Sequence, residues 1–287
     1  MEHPITKDIK KFLGNALIED IGEKDITTEI IFDRNFIINA NLIVRQNCIL
    51  AGLPFFKEVF TILDKDIEFS DFFCDGAVLK KNHVVCSISG RLKPILAGER
   101  VALNIISHLS GIATITNKCV KKTKGKFRIL DTRKTTPTLR SLERYAVRIG
   151  GGFNHRMNLS EMILIKDNHI NLWAYHKGID RKTAIRELTL KAKKANVSKV
   201  EIEVESCEEA LTATRAGVDI LMFDNTGTDE ITKYLNIVGK TRPKIEISGG
   251  IKPKDIQKFL GLDIDFISTG FITHSVSAID FSLEMTP

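Results

Sequence analysis

Residues 200–225, VEIEVESCEEALTATRAGVDILMFDN, place two short β-rich runs around one helix-length segment. VEIEVE (200–205) and ILMFDN (220–225) have the length and apolar content of strands, and 207–217 between them carries helical periodicity that Gly217 would close as a C-cap. Two strands joined by a helix form a βαβ unit, which implies parallel pairing through a right-handed crossover. The same texture recurs on both sides, in FRILDT (127–132), MILIKD (162–167), KIEISGG (244–250) and FISTG (266–270), with helical stretches at 181–196, 229–238 and 253–260.

Six such strands suit either an open doubly wound sheet or a barrel short of the usual eight. Their ends decide between the two. Each closes on a polar or glycine cluster: Asp131-Thr132-Arg133-Lys134, Lys166-Asp167-Asn168, Glu203 and Glu205, Asp224-Asn225, Ser248-Gly249-Gly250, and Ser268-Thr269-Gly270. An open sheet uses mainly the loops at its switch point, whereas a barrel gathers every strand end at one mouth. An α/β fold with an incomplete, six- or seven-stranded barrel is therefore expected.

The first hundred residues read differently. FIINANLIV (36–44), CILAGL (48–53) and VVCSI (84–88) suggest strands of a small α+β unit, with helices expected over 6–19 and 96–109. A composition of 43% hydrophobic and 27% charged residues with 7 prolines belongs to a globular chain and excludes collagenous or low-complexity classes. Five scattered cysteines without a C-x-x-C pair suggest neither a disulfide framework nor a zinc site, and so a reducing compartment. MEHPITKDIKKF lacks an apolar signal-like core and no apolar run is long enough to span a bilayer, so a soluble cytoplasmic protein is expected. The net charge of +6 favours an anionic partner, either nucleic acid or a small phosphate.

The densest cationic segment is 131–170. Arg140, Arg144 and Arg148 are four apart and read as a solvated helix face, but Arg133, Lys134 and Lys166 stand at strand ends and point toward a site. Gly150-Gly151-Gly152 leads into Asn154-His155-Arg156; it matches neither a dinucleotide fingerprint nor a Walker loop. Guanidinium forks on Arg133 and Arg156 suit a substrate with two carboxylates or a phosphate, with His155 either beside them or a turn residue only. Glu201, Glu203 and Glu205 share one face of their strand and need positive compensation, for which Lys166 and a cation such as Mg²⁺ are available, with Asp224 completing an oxygen-rich site. An edge strand with its acids in water is the plain alternative. Ser248-Gly249-Gly250 and Ser268-Thr269-Gly270, each expected to precede a helix start, would present backbone N–H groups to a phosphate.

Taken together, GERVALNIISHLSGIAT (98–114), DTRKTTPTLR (131–140), YAVRIGGGFNHRMNL (145–159), ILIKDNHI (163–170), EIEVE (201–205), FDN (223–225), EISGGI (246–251) and ISTGFITHS (267–275) resemble the quinolinate phosphoribosyltransferase family. ALIEDIGEKDITTEII (16–31) resembles its N-terminal part, so the likeness spans nearly the whole chain. The resemblance implies an N-terminal α/β sandwich domain over 1–110, a barrel over 111–274, and a tail near 275–287 returning to the first domain. It implies transfer of phosphoribose from phosphoribosyl pyrophosphate to quinolinate with Mg²⁺, yielding nicotinate mononucleotide, pyrophosphate and CO2 in NAD biosynthesis. It also implies a homodimer, or a hexamer built as a trimer of dimers, in which Arg100 enters a neighbour's site. By the same resemblance, Arg100, Arg133, His155 and Arg156 surround the substrate carboxylates, with Thr132 in support. Lys134 and Lys166 face carboxylate and pyrophosphate, and Glu203 and Asp224 hold the ribose hydroxyls and the metal, directly or through water. Ser248, Gly249, Gly250, Ser268, Thr269 and Gly270 take the 5′-phosphate.

Thr138 departs from the family pattern where glycine is usual, Ile247 where a small residue is usual, and Phe223 where leucine is common. The alternative within the scaffold is a paralogous pyrophosphorylase with another acceptor, against which the Arg133, His155, Arg156 set argues. A nucleic-acid-binding protein is disfavoured by the low aromatic content, 7%, and by the acids of 201–205. A lysine-dependent aldolase acting through Lys166 is the third reading.

Overall fold

The computed structural model describes residues 4–286; Met1–His3 and Pro287, included in the expected domain bounds, lie outside the described residues. The chain divides into two compact units. The first comprises Met1–Asn117, Thr136–Gly151 and Val276–Pro287, and the second Lys118–Thr135 and Gly152–Ser275. The segment 136–151, assigned from the resemblance to the barrel stretch, thus clusters with the first unit.

The first unit opens with α1 (Lys7–Ile21), started by the Thr6 hydroxyl accepting from the Ile9 amide and burying Ile9, Leu13 and Leu17 at four-residue intervals. After α2 (Ile26–Ile31), β1 (Ile37–Val44) buries alternate residues Ala40, Leu42 and Val44, the period of a half-covered strand. CILAGL does not continue as a strand: β2 is only Cys48–Ile49, and Gly52 at φ 102° turns the chain into α3 (Leu53–Leu63). Phe55, Phe56, Val59 and Phe60 of α3 are buried, each worth about 1.5–3 kcal/mol of transfer free energy. β3 (Glu68–Asp71), β4 (Val78–Leu79) and β5 (Val84–Arg91) follow. The helix expected over 96–109 is much longer, α4 running Leu92–Thr123.

The second unit carries the βα series. Its strands are β6 (Arg128–Leu130), β7 (Ile163–Ile165), β8 (Val200–Val204), β9 (Ile220–Asp224), β10 (Lys244–Ser248) and β11 (Phe266–Ser268). The intervening helices are α5 (Arg140–Ile149, which belongs to the first unit), α6 (Asp167–Lys177), α7 (Arg181–Ala195), α8 (Cys207–Arg215) and α9 (Thr228–Val238). All six strands are parallel in the order β6-β11-β10-β9-β8-β7. Among the described residues β6 and β7 do not pair with each other, and only a single bridge, Leu130–Phe153, extends the β6 edge. The sheet is an incomplete α/β barrel.

Two local expectations fail. Residues 253–260 form no α-helix, only a 3-10 turn at Ile256–Phe259, and the helix after Gly270 is one turn, α10 (Phe271–His274). The glycine loops therefore offer backbone N–H groups with little macrodipole behind them. The C-terminal strand, β12 (Phe281–Thr286), pairs antiparallel with β1 in the four-stranded sheet β12-β1-β5-β3 of the first unit. Among the described residues, no helix is long and apolar enough to cross a membrane.

Candidate active site

The strand ends of the second unit line a cavity of about 310 Å³. Thr132, Arg133, Lys134, His155, Arg156, Lys166, Glu203, Asp224, Ser248 and Ser268 all face it, joined by Leu164, Met222 and Glu246. Residues distant in sequence meet here because parallel register aligns their strands: Ser248 pairs with Asp224, Glu246 with Met222, and Met222 with Glu203. Arg100 is exposed on α4 and is not among the lining residues.

The loop after Gly152 is built on a buried acid. The Asp131 carboxylate accepts the Asn154 side-chain amide at 2.6 Å and the His155 backbone N–H at 2.7 Å. His155 Nδ1 then accepts the Arg156 backbone N–H at 2.7 Å, and Arg156 Nη1 donates to the Met162 carbonyl at 2.9 Å. Arg156 is thereby drawn into the wall, 7% exposed. Burial first, and then the like charge of Arg133, lower its affinity for its proton from the ordinary arginine value. Two guanidinium groups held this close favour an anion between them.

The acids of β8 each find a different partner. Lys166 Nζ donates to Glu203 Oε1 at 3.1 Å, and the Asp167 backbone N–H donates to Glu203 Oε2 at 2.9 Å. Glu205, past the strand end, lies 3.1 Å from Arg181. Glu201 meets a partner that was not expected: His155 Nε2 stands 3.0 Å from its Oε2. His155 is therefore neither a simple turn residue nor directed only at a substrate.

The two glycine loops are interlocked. Thr269 Oγ1 donates to the Ile251 carbonyl at 2.7 Å, and the Thr269 N–H to the Leu130 carbonyl at 3.1 Å. Gly249 and Gly250 take φ 100° and 58°, and a Cβ on Gly249 would stand 2.5 Å from the Asn225 backbone nitrogen. Gly270 lies against Lys134 and the His274 ring, and Thr273 Oγ1 donates to the Lys134 carbonyl at 2.7 Å. Lys134 itself is exposed, its backbone N–H bonded to Thr132 Oγ1 at 3.1 Å.

Glu246 and His274 were not singled out in the sequence, and Asp131 and Asn225 were read only as members of strand-end clusters. Asp131 was marked by closing an apolar strand, though not as the anchor of the 152–156 loop; Glu246, alternating with Ile245 and Ile247, gave no such signal.

This arrangement has close counterparts. The C-terminal domain model of quinolinate phosphoribosyl transferase matches residues 112–284 and its N-terminal domain model matches 25–110. The chain belongs to the quinolinate phosphoribosyl transferase family. Among its relatives, the probable nicotinate-nucleotide pyrophosphorylase (carboxylating) of Bacillus subtilis is 39% identical over 281 residues, covering 97% of this chain and 93% of that one. The human nicotinate-nucleotide pyrophosphorylase (carboxylating) is 34% identical, covering 83% of this chain and 78% of its own. The crystal structure of NadC from Streptococcus pyogenes superposes with a TM-score of 0.90 at 40% identity, covering 98% of both chains. Like other quinolinate phosphoribosyl transferases, the chain is a pentosyltransferase on an incomplete α/β barrel.

Proposed function

We propose that the cavity joins the pyridine nitrogen of quinolinate to C1′ of phosphoribosyl pyrophosphate, releasing pyrophosphate and CO2 and leaving nicotinate mononucleotide. The observation that carries this is the pairing, in one cavity, of the Arg133 and Arg156 guanidiniums with the acids Glu203 and Asp224. Arg133, Arg156 and His155, supported by Thr132, form the end for the two ring carboxylates. Ser248-Gly249-Gly250 and Ser268-Thr269-Gly270 form the end for the 5′-phosphate, where backbone N–H groups can approach closely.

As the C1′–oxygen bond to pyrophosphate breaks, positive charge develops on the ribose, and Glu203 and Asp224 stabilise it through space. Lys134 and Lys166 neutralise the departing anion. Attack by the ring nitrogen makes a pyridinium cation, whose charge stabilises the electron pair left on the ring carbon when the adjacent carboxylate departs as CO2, and a proton from solvent then completes the C–H bond of the product. Lys166, engaged with Glu203, acts as a charge and not as a nucleophile, so no Schiff base is required.

Mg²⁺ keeps most of its waters and takes one or two protein carboxylates beside substrate phosphates. Both Glu203 oxygens already accept hydrogen bonds, so of the two expected ligands Asp224, half-buried at the rim with Oδ2 on the Asn225 amide at 3.0 Å, is the better fit, with Glu203 acting through water. Bound there with the pyrophosphate, the ion would supply charge neutralisation. The proposal extends to a cytoplasmic homodimer in which Arg100 serves a second copy of this chain.

Purified protein with Mg²⁺ and phosphoribosyl pyrophosphate is expected to form nicotinate mononucleotide from quinolinate and none from nicotinate, which lacks the second carboxylate. Product from another acceptor and none from quinolinate would favour the paralogous pyrophosphorylase instead.

A further inference from the structure

Glu201 on β8 and Glu246 on β10 are 0% and 1% exposed, and β9 separates their strands, yet both face the same imidazole. His155 Nε2 is 3.0 Å from Glu201 Oε2 and 3.6 Å from Glu246 Oε2, and one ligand-type atom from each of the three residues lies within 4.8 Å of the others. Such a trio could suggest a metal site, but the ring orientation argues otherwise. Nδ1 accepts the Arg156 amide, so the neutral ring carries its hydrogen on Nε2 and has no lone pair there for a cation. The trio is a buried clamp of two carboxyl groups closing on one imidazole, at 3.0 and 3.6 Å.

We propose that Glu246 is a positioning residue for the acceptor end of the cavity: with Glu201 it holds the His155 imidazole, and through Nδ1 and the Arg156 amide it sets the direction of the Arg156 guanidinium. This rests on the reading of Arg156 as a carboxylate ligand. The charged and titratable groups facing the clamp are Glu201, His155, Asp131 and Arg156, with the Ser268 hydroxyl of β11 against Glu246. Burial, and next the charge of Glu201, push the Glu246 carboxyl well above the usual range, to about 8. Burial alone would depress His155, but the bond to Glu201 and the charges of Glu246, Glu201 and Asp131 raise it. Both shifts favour protonation within the cluster. With Nδ1 occupied as an acceptor, the raised Glu246 carboxyl is the group beside Glu201 that favours its protonated form. Two buried carboxyls facing one imidazole repel when both are charged, so a neutral donor at Glu246 suits the position.

The test separates donor from carboxylate. Glu246→Gln keeps a donor of the same shape and is expected to hold KM for quinolinate and for phosphoribosyl pyrophosphate within about threefold of wild type. Glu246→Ala is expected to raise the quinolinate KM, and its Kd by calorimetry, at least about tenfold, with the phosphoribosyl pyrophosphate KM changed less than about twofold. The His155 Nε2–H resonance should be slowly exchanging in wild type and Glu246→Gln and lost in Glu246→Ala; if the alanine variant does not fold, Glu246→Met takes its place. Equal quinolinate binding by wild type and Glu246→Ala, a parallel rise in both KM values, or a glutamine variant as impaired as the alanine one would overturn the positioning role. A wild type that binds no quinolinate would overturn the proposed function instead.

Discussion

Thr138 holds a φ of 70° at an exposed turn, in the left-handed region that the family's usual glycine would occupy without strain. For an L residue that conformation costs about 1–2 kcal/mol, and branching at Cβ places threonine at the upper end. Replacing it by glycine removes that cost but restores about 0.5–1 kcal/mol of unfolded-chain entropy. It also removes the hydrogen bond from Thr138 Oγ1 to the Pro137 carbonyl, which at an exposed site contributes about 0.5 kcal/mol. The balance leaves Thr138→Gly more stable by about 0.5 kcal/mol. With an unfolding entropy near 2.1 cal/mol/K per residue, that raises the midpoint by about 1 °C, readable by replicate scanning calorimetry. Thr138→Ala, relieved only of the branch, should fall between the two. Thr138 does not line the cavity, so kcat should be unchanged. A lower midpoint for Thr138→Gly, or an alanine variant more stable than the glycine one, would refute the assignment of strain.

Other consequences are open to direct measurement. A raised Glu246 pKa means that between about 4.5, its ordinary value, and about 8 the folded state binds more protons than the unfolded one, so stability falls as pH rises through that window. Glu246→Gln removes this dependence: its stability relative to wild type should be on the order of a few kcal/mol better at pH 9 than at pH 5, and a difference constant in pH would contradict it. Gly249→Ala should lose both stability and affinity for phosphoribosyl pyrophosphate, because a positive φ and the Asn225 backbone both oppose a Cβ; a variant with wild-type KM would show that the loop yields at no cost. Mixed dimers of Arg100→Ala and Lys166→Ala chains should regain part of the activity that each parent lacks, and a complete absence of rescue would remove Arg100 from the shared-site proposal.

The barrel was legible because each apolar run ends abruptly in polar residues or glycine, and that boundary is a local property. Elements lacking such a boundary were harder to read. The run 48–53 looks like a strand until Gly52 at φ 102° redirects it into α3, and α6 buries only Ile170, so its apolar residues trace no stripe. Lys166 with Glu203 could be anticipated from opposite charges at adjacent strand ends. Glu201 with His155 could not, because the contact depends on how far the loop held by Asp131 reaches across the sheet. Glu246 sits between two isoleucines like any strand acid, and only the second buried carboxyl beside it distinguishes it.

The most direct test of the central claim is a crystal structure of the protein with quinolinate. The two ring carboxylates are expected on Arg133 and Arg156 with the ring nitrogen turned toward the side of the cavity formed by Glu203 and Asp224. Quinolinate bound elsewhere, or in this cavity without contact to either guanidinium, would contradict the account.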